Sequence, residues 1–453
     1  MRAEAAGGVL MLLAAVVAII WANSGAGDSY FGLFGTTIEI AVGDFSFHHL
    51  SELTVREWIN DGLMALFFFV VGLEIKRELV VGELRDPRAA ALPAIAALGG
   101  MLLPALIYTA FNASGPGARG WGIPMATDIA FAVGIVSMLG RRVPVAAKLF
   151  LLALAIVDDL GAIIVIALFY TSDLAAGWLA AGIGGLGFVA VMRRLQVRAV
   201  SAYVLVGVFV WLAILESGVH ATVAGVAMAL FTPTWSFYSP RYFAPRARQL
   251  VDRADHYLPE DEPVSAADHH SLERLQALMH ELRRLSRESL PPLNRLEHAL
   301  APWASMVIVP LFALANAGVV IERAALRGAF DDPVLLGTAA GLVVGKLLGV
   351  TTFAWLAIKL GLGRMPARTT WRHMVGLGML AGIGFTVALF VAALSFPGGS
   401  AEGDSAKLGI FAASAVAGIA GYCWLRFASR SRADALVGDD GVADPRTAER
   451  VGA

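Results

Sequence analysis

The sequence alternates long apolar runs with short polar connections along most of its length. A helix of about 20 apolar residues is long enough to cross the hydrocarbon layer of a bilayer. The two apolar runs near residues 200–214 and 218–231 are short and could be taken for a single span, but we count them separately. The pattern then predicts twelve spans, near residues 8–26, 55–81, 91–112, 117–139, 146–170, 175–193, 200–214, 218–231, 292–316, 335–357, 373–396 and 405–427.

Two segments between the spans break this pattern. Residues 38–49 alternate roughly between apolar and polar positions around a Gly-Asp pair, which predicts either a β-hairpin outside the membrane or a plain surface loop. Residues 232–291 are charged and carry leucines at helical spacing from Leu272 to Leu285. This spacing predicts an amphipathic helix in a cytoplasmic insert, which either packs on the protein or acts as a solvated tether.

The insert divides the chain into two membrane parts. Spans one to eight lie in residues 1–231, and spans nine to twelve lie in residues 292–427. The polar tail, residues 428–453, is predicted to be disordered and cytoplasmic. The first apolar run continues too far for a signal peptide, so we expect it to be retained as a helix.

Composition agrees with a membrane protein, because 57% of the 453 residues are hydrophobic and only 16% are charged. In soluble domains about a quarter of the residues are charged. A soluble chain as apolar as this one would expose surfaces that aggregate. The formal net charge of −1 gives no case for binding nucleic acid. The single cysteine, Cys423, cannot form an intramolecular disulfide.

Lysine and arginine are concentrated in alternate connections, and connections of that kind face the cytoplasm. Both termini are predicted to lie on the same cytoplasmic side. The opposite connections hold only Arg56, Arg119, Arg323 and Arg327. The basic connections hold Lys76, Arg77, Arg85, Arg88, Arg141, Arg142, Arg193, Arg194, Arg198, Arg241, Arg246, Arg248, Arg253, Lys359, Arg364, Arg368, Arg372, Arg426, Arg430 and Arg432.

Four ionisable residues lie near the middle of predicted spans: Asp128, Asp158, Asp159 and Lys346. A charge inside the bilayer is costly, so such a residue indicates function by default. A purely structural reading is a buried Asp–Lys pair that fixes helix packing. Three acids against one base leave an excess of negative charge that a structural pair does not require.

The adjacent aspartates predict cation and proton binding. Neighbours on a helix point about 100° apart, so Asp158 and Asp159 cannot both face one small site, and one can meet a partner while the other faces a cavity. Two carboxylates in a dry site repel each other, which favours a proton on one of them. Na⁺ and Li⁺ prefer oxygen ligands, which Asp159, Asp128 and Thr127 can offer, and Lys346 can neutralise an aspartate when the ion is absent.

Two of the spans carry helix-breaking residues beside these charges. Such interruptions in corresponding halves of a transporter indicate broken helices around a site at the membrane midplane. Ordinary packing of helices through small residues is the alternative explanation. The fourth span holds Gly122, Pro124 and Thr127 before Asp128, and the eleventh holds Gly376, Gly378, Gly382 and Gly384.

Several long motifs, in order along the chain, resemble the NhaA-type Na⁺/H⁺ antiporters. The resemblance covers about residues 8–427, apart from the insert. The motifs are Trp58-Ile59-Asn60-Asp61-Gly62-Leu63, Val71-Gly72-Leu73-Glu74-Ile75-Lys76-Arg77-Glu78, Ala126-Thr127-Asp128-Ile129-Ala130-Phe131, Ala155-Ile156-Val157-Asp158-Asp159-Leu160-Gly161, Ser217-Gly218-Val219-His220-Ala221-Thr222, Phe312-Ala313-Leu314-Ala315-Asn316-Ala317-Gly318 and Gly382-Ile383-Gly384-Phe385-Thr386.

The resemblance implies twelve transmembrane helices with inverted-topology repeats and two unwound crossing helices, the second unwound at Gly382 and Gly384. It implies exchange of Na⁺ or Li⁺ for H⁺ across a bacterial inner membrane, with more protons moved than sodium ions and activation at alkaline pH. The sites of Na⁺ and the proton would be Asp158, Asp159, Thr127 and Asp128, with Lys346 compensating charge. No cofactor is implied, and the hairpin near 38–49 would join two protomers.

A cytoplasmic pH-sensing cluster is also implied by the resemblance, and His220 is a further candidate because histidine titrates near neutral pH. Asn294 and Glu216 stand where the family pattern has lysines, and the insert directly precedes the pH-sensing helix. These differences affect the expected pH set-point. The cluster corresponds to Glu74, Arg77, Glu78, Arg295, Glu297 and His298.

Other function classes fit the sequence less well. An intramembrane aspartyl protease needs carboxylates on two helices, and its Gly-Asp-type motif occurs here only at Gly43-Asp44, outside the spans. A passive cation channel needs no proton-coupled carboxylate pair. An antiporter of the same fold that prefers another cation, such as K⁺, remains an open alternative. The chain has no phosphate-binding loop of the nucleotide-hydrolysing type, so ion gradients would supply the energy.

Overall fold

The computed structural model describes residues 2–38, 41–42, 45–46, 53–171, 174–197, 199–255, 257, 269–321, 328, 330–396 and 398–437. Almost all of the described elements are helices, as the long apolar runs predict. In chain order they are α1 (Arg2–Ala22), α2 (Gly27–Gly35), α3 (Val55–Val80), α4 (Pro87–Phe111), α5 (Ile129–Met138), α6 (Val145–Phe169), α7 (Ala176–Arg194), α8 (Val200–Glu216), α9 (Thr222–Phe231), α10 (Pro240–Asp255), α11 (His269–Glu288), α12 (Pro292–Asn316), α13 (Pro333–Lys359), α14 (Trp371–Ala381), α15 (Phe385–Ser395) and α16 (Ala401–Val437).

Shorter helical turns complete the described elements. A 3₁₀ helix, Pro116–Met125, leads into α5. Wider π-helical turns interrupt three of the long helices, and such turns are frequent at functional sites. They lie at Trp58–Leu63 in α3, Ala304–Ile308 in α12 and Gly341–Gly345 in α13, and further 3₁₀ turns lie at Glu83–Arg85 and Gly140–Arg142.

Seven of the described helices are long and apolar enough to cross a membrane: α3, α4, α6, α7, α12, α13 and the Ala401–Ala428 part of α16. Three more candidate spans are broken pairs of helices, which brings the count to at most ten. Two shorter apolar helices, α8 and α9, cover the seventh and eighth predicted spans and are separate. The full set of twelve spans stays a prediction, since it also needs α8 and α9 to cross the membrane.

The three broken pairs bend at polar or glycine-containing breaks. The first pair, Ala6–Ala22 and α2, bends by 114°, and the bend lies at the end of the span predicted near 8–26. The second pair, Pro116–Met125 and α5, and the third, α14 and α15, each bend by 41°. The second and third breaks fall in the two spans that the helix-breaking residues mark.

Large apolar side chains cover the outside of the bundle. Leu168, Ile183 and Leu205 are 71%, 60% and 72% exposed. A protein that exposed such a surface to water would aggregate, whereas lipid solvates apolar side chains. In lipid the backbone polar groups must be hydrogen-bonded internally, as they are in helices. The protein is therefore a multi-pass membrane protein.

Only two very short strands are present in the described part of the predicted hairpin. Ala41–Val42 and Phe45–Ser46 pair antiparallel. Residues 39–40, 43–44 and 47–49 lie outside the described residues. A complete hairpin over 38–49 therefore stays a prediction.

The insert contains two helices, α10 and α11, that pack against each other. Arg246 Nη2 on α10 donates a hydrogen bond to Glu281 Oε1 on α11 at 2.7 Å. Helix α11 lies within the segment with the leucine spacing, but α10 has no such spacing and was not predicted. At the other end of the chain, α16 continues to Val437, beyond the predicted boundary at residue 427, because its Ala- and Arg-rich sequence favours helix.

Glycines set the distance between α4 and α13, the pair of helices with the most extensive contact. The backbones touch where Gly349 lies against the carbonyl oxygen of Gly99, and a side chain at Gly349 would collide with that oxygen. Small residues allow this close approach of membrane helices. The contact brings Lys346, one turn before Gly349, into the centre of the bundle.

Candidate functional site

The two adjacent aspartates lie at the middle of α6. Their helix is otherwise almost wholly apolar, and the cost of exposing a charge to lipid favours a position of both carboxylates inside the bundle. Asp158 is completely buried and Asp159 is 4% exposed. As the helical spacing predicts, the two side chains have different surroundings.

Asp158 is paired with the buried lysine. Lys346 Nζ lies 2.5 Å from Asp158 Oδ2, and both side chains are completely buried. The same Nζ donates a hydrogen bond to the carbonyl oxygen of Met125, at the end of the 3₁₀ helix before α5. Lys346 Nζ therefore contacts both a carboxylate and the end of a helix.

Two carboxylate oxygens of the aspartate pair are left without partners. Among the buried side-chain atoms of the described residues, Asp158 Oδ1 and Asp159 Oδ1 accept no hydrogen bond. Asp159 is buried, and the charges of three acids, Asp158, Asp128 and Glu74, and of one base, Lys346, act on it. A buried acceptor without a donor is unfavourable, and a bound proton or a small cation would remove the penalty.

The breaks of the second and third helix pairs lie against each other beside the aspartates. The backbone N–H of Asp128 donates to the carbonyl oxygen of Ile383 at 2.6 Å. The hydroxyl of Thr127 donates to the carbonyl oxygen of Ala381 at 2.8 Å. Backbone groups that the breaks release from helical bonding are thus satisfied by the other break, and Thr127 also lies next to Asp158.

Asp128 has more hydrogen-bond donors than the other two aspartates. Its Oδ1 caps α5 by accepting from the backbone N–H of Phe131 at 3.2 Å. Its Oδ2 accepts from the hydroxyl of Thr386 at 2.6 Å and from the backbone N–H of Thr386 at 3.2 Å. Asp128 therefore fastens α5 to the start of α15, and it differs in this from Asp159.

Thr386 was not predicted as a site residue, although it lies in one of the family-like motifs. A signal was available, because Thr386 follows Gly384 by two residues in an apolar span. A second buried polar contact that was missed joins α3 to α12, where Asn316 Nδ2 donates to Asn60 Oδ1 at 2.8 Å. Both contacts are between elements far apart in sequence, so spacing alone does not predict them.

We predict that Thr386→Val destabilises the protein by about 1–3 kcal/mol, because the change removes a donor to a buried carboxylate. Thr352→Val is the matched control, since its exposed hydroxyl bonds only within its own helix. Thermal unfolding in detergent, followed by tryptophan fluorescence, measures the difference. Equal midpoints for the two variants would show that the Thr386 hydroxyl does not hold Asp128.

We also predict that Gly382→Ala destabilises the break between α14 and α15. An added Cβ would collide with the carbonyl oxygen of Leu342 and lie 3.2 Å from Ala417 Cβ, and such overpacking costs about 1–3 kcal/mol. Gly134→Ala in α5 is the control, because nothing lies within 4 Å of its Cβ position. The same unfolding experiment tests the pair, and an unchanged Gly382→Ala midpoint would mean that the break tolerates a side chain.

Part of the predicted pH-sensing cluster comes together around one arginine. Arg77 on α3 forms an ion pair with Glu297 on α12. It lies 3.6 Å from Glu78 and 4.0 Å from Glu74. Glu74 is also one of the acids that act on Asp159, so this cluster is in electrostatic contact with the aspartate pair.

Of the remaining candidates, Arg295 and His298 lie beside Glu297 on α12, and His220 lies before α9. Within the described chain, no hydrogen bond or ion pair joins Arg295 or His298 to Arg77. His220 is also separate from the cluster, and its Nε2 lies 2.7 Å from the carbonyl oxygen of Tyr170 at the end of α6. The structure thus divides the predicted candidates into at least two groups.

The chain is similar to known proteins over most of its length. The family model for Na⁺/H⁺ antiporter 1 matches residues 1–425. Three similar curated proteins are named Na⁺/H⁺ antiporter NhaA, so they are transporters rather than enzymes. The protein of Oleidesulfovibrio alaskensis is 47% identical over 95% of this chain and 93% of its own length, that of Sulfurimonas denitrificans 45% over 95% of each, and that of Rhodopirellula baltica 46% over 92% and 90%. The chain therefore belongs to the Na⁺/H⁺ antiporter 1 family.

Proposed function

We propose that the protein exports Na⁺ or Li⁺ in exchange for H⁺ across a bacterial inner membrane. The observation that carries the proposal is the pair of adjacent buried carboxylates, of which Asp158 pairs with Lys346 and each has one oxygen without a hydrogen bond. The broken helices beside them bring further oxygens close through Thr127 and Asp128. This donor set suits a proton and a small hard cation.

Exchange would follow from competition for the same carboxylates. Na⁺ entering from the cytoplasm would bind Asp159 and Asp158 with Thr127 nearby, and the proton of Asp159 would leave. Lys346 would release Asp158 to the ion and return to it when the ion departs. Asp128, which already accepts three hydrogen bonds, would hold the breaks in place while the loaded site opens to the other side.

The carboxylate pair also supports electrogenic exchange. Asp159 would release one proton and the Lys346–Asp158 pair would release a second one, so about two protons would move for each sodium ion. The proton gradient and the membrane potential would then both drive Na⁺ out of the cell. The bend of each broken helix would allow the site to alternate its access between the two sides.

Activation at alkaline pH would arise at the Arg77 cluster. Glu74 belongs to that cluster and acts on Asp159, so a change of charge there would alter the aspartate site. The charge of Arg77 is balanced by Glu297 and Glu78, so a rearrangement of these ion pairs would change the electrostatic field at the aspartates. His220, Arg295 and His298 would be further contributors to the pH response.

Orientation and assembly complete the proposal. Both termini would face the cytoplasm, on the side of the basic connections, and lipids would surround the bundle. A second copy would pair through the segment near residues 38–49, where strands with free edges invite pairing. Preference for K⁺ over Na⁺ is the main alternative, and a passive cation channel is a more distant one.

The proposal is tested with purified protein in liposomes that hold an acidic interior and a pH-sensitive dye. Na⁺ and Li⁺ should each reverse the dye quenching at alkaline pH, whereas K⁺ and choline should not. A response to K⁺ of equal size would favour the alternative cation. No response to any of the four cations across the pH range would rule out proton-coupled exchange of these ions.

A further inference from the structure

A cavity of about 590 Å³ lies where the insert meets the ends of two membrane helices. Its lining includes Val200, the first residue of α8, and Arg295, in the first turn of α12. Helix α11 of the insert contributes Arg283, Arg284 and Arg287. The cavity is separate from the aspartate pair, and none of the three aspartates or Lys346 lines it.

The cavity has an excess of positive charge. Its four arginines face a single carboxylate, that of Glu288, which accepts a hydrogen bond from Arg284 Nε at 3.1 Å. Across the described chain, Arg283, Arg287 and Arg295 form no ion pair with a carboxylate. Arg287 and Arg295 also lie close enough for their charges to repel. An anion between these guanidinium groups would relieve the repulsion.

The cavity is held in shape by backbone hydrogen bonds between its walls. The N–H of Phe237 donates to the carbonyl oxygen of Glu288 at 3.1 Å, and the N–H of Leu293 donates to that of Pro233 at 3.2 Å. These bonds tie the end of α11 to the chain that follows α9. A site that is formed before the ligand arrives loses less free energy on binding.

We propose that this cavity binds a phosphate group. Guanidinium groups match phosphate oxygens through paired, charge-assisted hydrogen bonds, and four of them line the cavity. The phosphate belongs either to an anionic lipid headgroup or to a free phosphate ion. The position favours a headgroup, because the cavity lies at the ends of two membrane helices, where basic pockets bind anionic lipids, and because Val200 and Phe237 add apolar surface.

Two probes distinguish the sources of the phosphate. The full-length protein in maltoside micelles is titrated with phosphatidylglycerol, with phosphatidylcholine as the uncharged comparison, and its unfolding midpoint is measured. Binding of radiolabelled inorganic phosphate is measured separately by equilibrium dialysis. Choline salts replace sodium salts throughout, so that the transported ion does not contribute.

Two double variants carry the test. Arg283→Gln with Arg287→Gln removes two cavity guanidinium groups, and Arg248→Gln with Arg253→Gln removes two exposed ones from α10 in the same insert. One of the two probes, phosphatidylglycerol or inorganic phosphate, should bind the unmodified protein. We expect the Arg283/Arg287 variant (the cavity variant) to bind that probe at least tenfold more weakly. The Arg248/Arg253 variant (the α10 variant) should bind it as the unmodified protein does. All four side chains are exposed, and unfolding midpoints without ligand check that both variants fold.

The outcomes separate as follows. Stabilisation by phosphatidylglycerol that the cavity variant alone loses identifies a lipid headgroup, and saturable phosphate binding with the same loss identifies a soluble anion. If neither phosphatidylglycerol nor inorganic phosphate binds, the proposal is overturned. An equal loss in both double variants also overturns it, because the effect would then reflect the total charge of the insert. The readouts need no transport, so they are independent of the proposed exchange.

Discussion

Replacing Asp159 with asparagine is expected to abolish Na⁺-driven proton movement in liposomes, down to the level of liposomes without protein. Asparagine has nearly the same shape but can neither release a proton nor offer a charged oxygen to a cation. Asp159 is buried next to Asp158, and the charge of Asp128 also acts on it. Its Oδ1 also has no hydrogen-bond partner, so the variant should fold with little change in stability.

The control for this variant is Asp252→Asn, on the exposed surface of α10 in the insert. It makes the same chemical change at a site with no part in the exchange, and it should retain full activity. Activity is measured by dye dequenching on addition of Na⁺ or Li⁺. If the Asp159→Asn variant exchanges Na⁺ for H⁺ as fast as the unmodified protein, then Asp159 does not carry the ion and the proton.

Replacing Lys346 with alanine is expected to destabilise the protein by about 3–5 kcal/mol, because removal of one partner leaves a buried charge without compensation. The lost contacts are those of Lys346 Nζ with Asp158 Oδ2 and with the carbonyl oxygen of Met125. The change should also lower exchange activity, since Asp158 would bind its proton more tightly. Thermal unfolding in detergent measures the first effect, and dye dequenching measures the second.

A double variant separates the ion pair from other effects of the alanine. Adding Asp158→Asn to Lys346→Ala removes the charge that the first change leaves uncompensated. The two changes together should therefore destabilise the protein by less than the sum of the single changes. Additive effects would mean that Lys346 and Asp158 do not act as a pair.

The sequence predicts the charged core of the site because each of its members is costly in an apolar span. Asp128, Asp158, Asp159 and Lys346 are conspicuous for that reason, and the structure brings Lys346 to Asp158 although the two are far apart in the chain. The adjacency of the two aspartates also predicts their unequal surroundings. Helical geometry alone is enough for that inference.

The contacts between the two helix breaks could not be predicted in the same way. Glycine and proline indicate that a helix is interrupted, but they do not indicate which carbonyl oxygen the released groups will meet. The bonds from Asp128 to Ile383 and from Thr386 to Asp128 depend on how two distant segments pack. The sharp bend after α1 was missed for a related reason, since an apolar count does not detect a change of direction.

Na⁺ binding to the purified protein, measured by calorimetry in buffers of different ionisation enthalpy, tests the central claim of competition most directly. Competition predicts that Na⁺ binding releases protons. It also predicts that the apparent affinity for Na⁺ falls about tenfold for each unit by which the pH is lowered, for each proton displaced. Asp159→Asn should lose both effects. Na⁺ binding that releases no protons and has the same affinity at every pH would contradict competition at the aspartate pair.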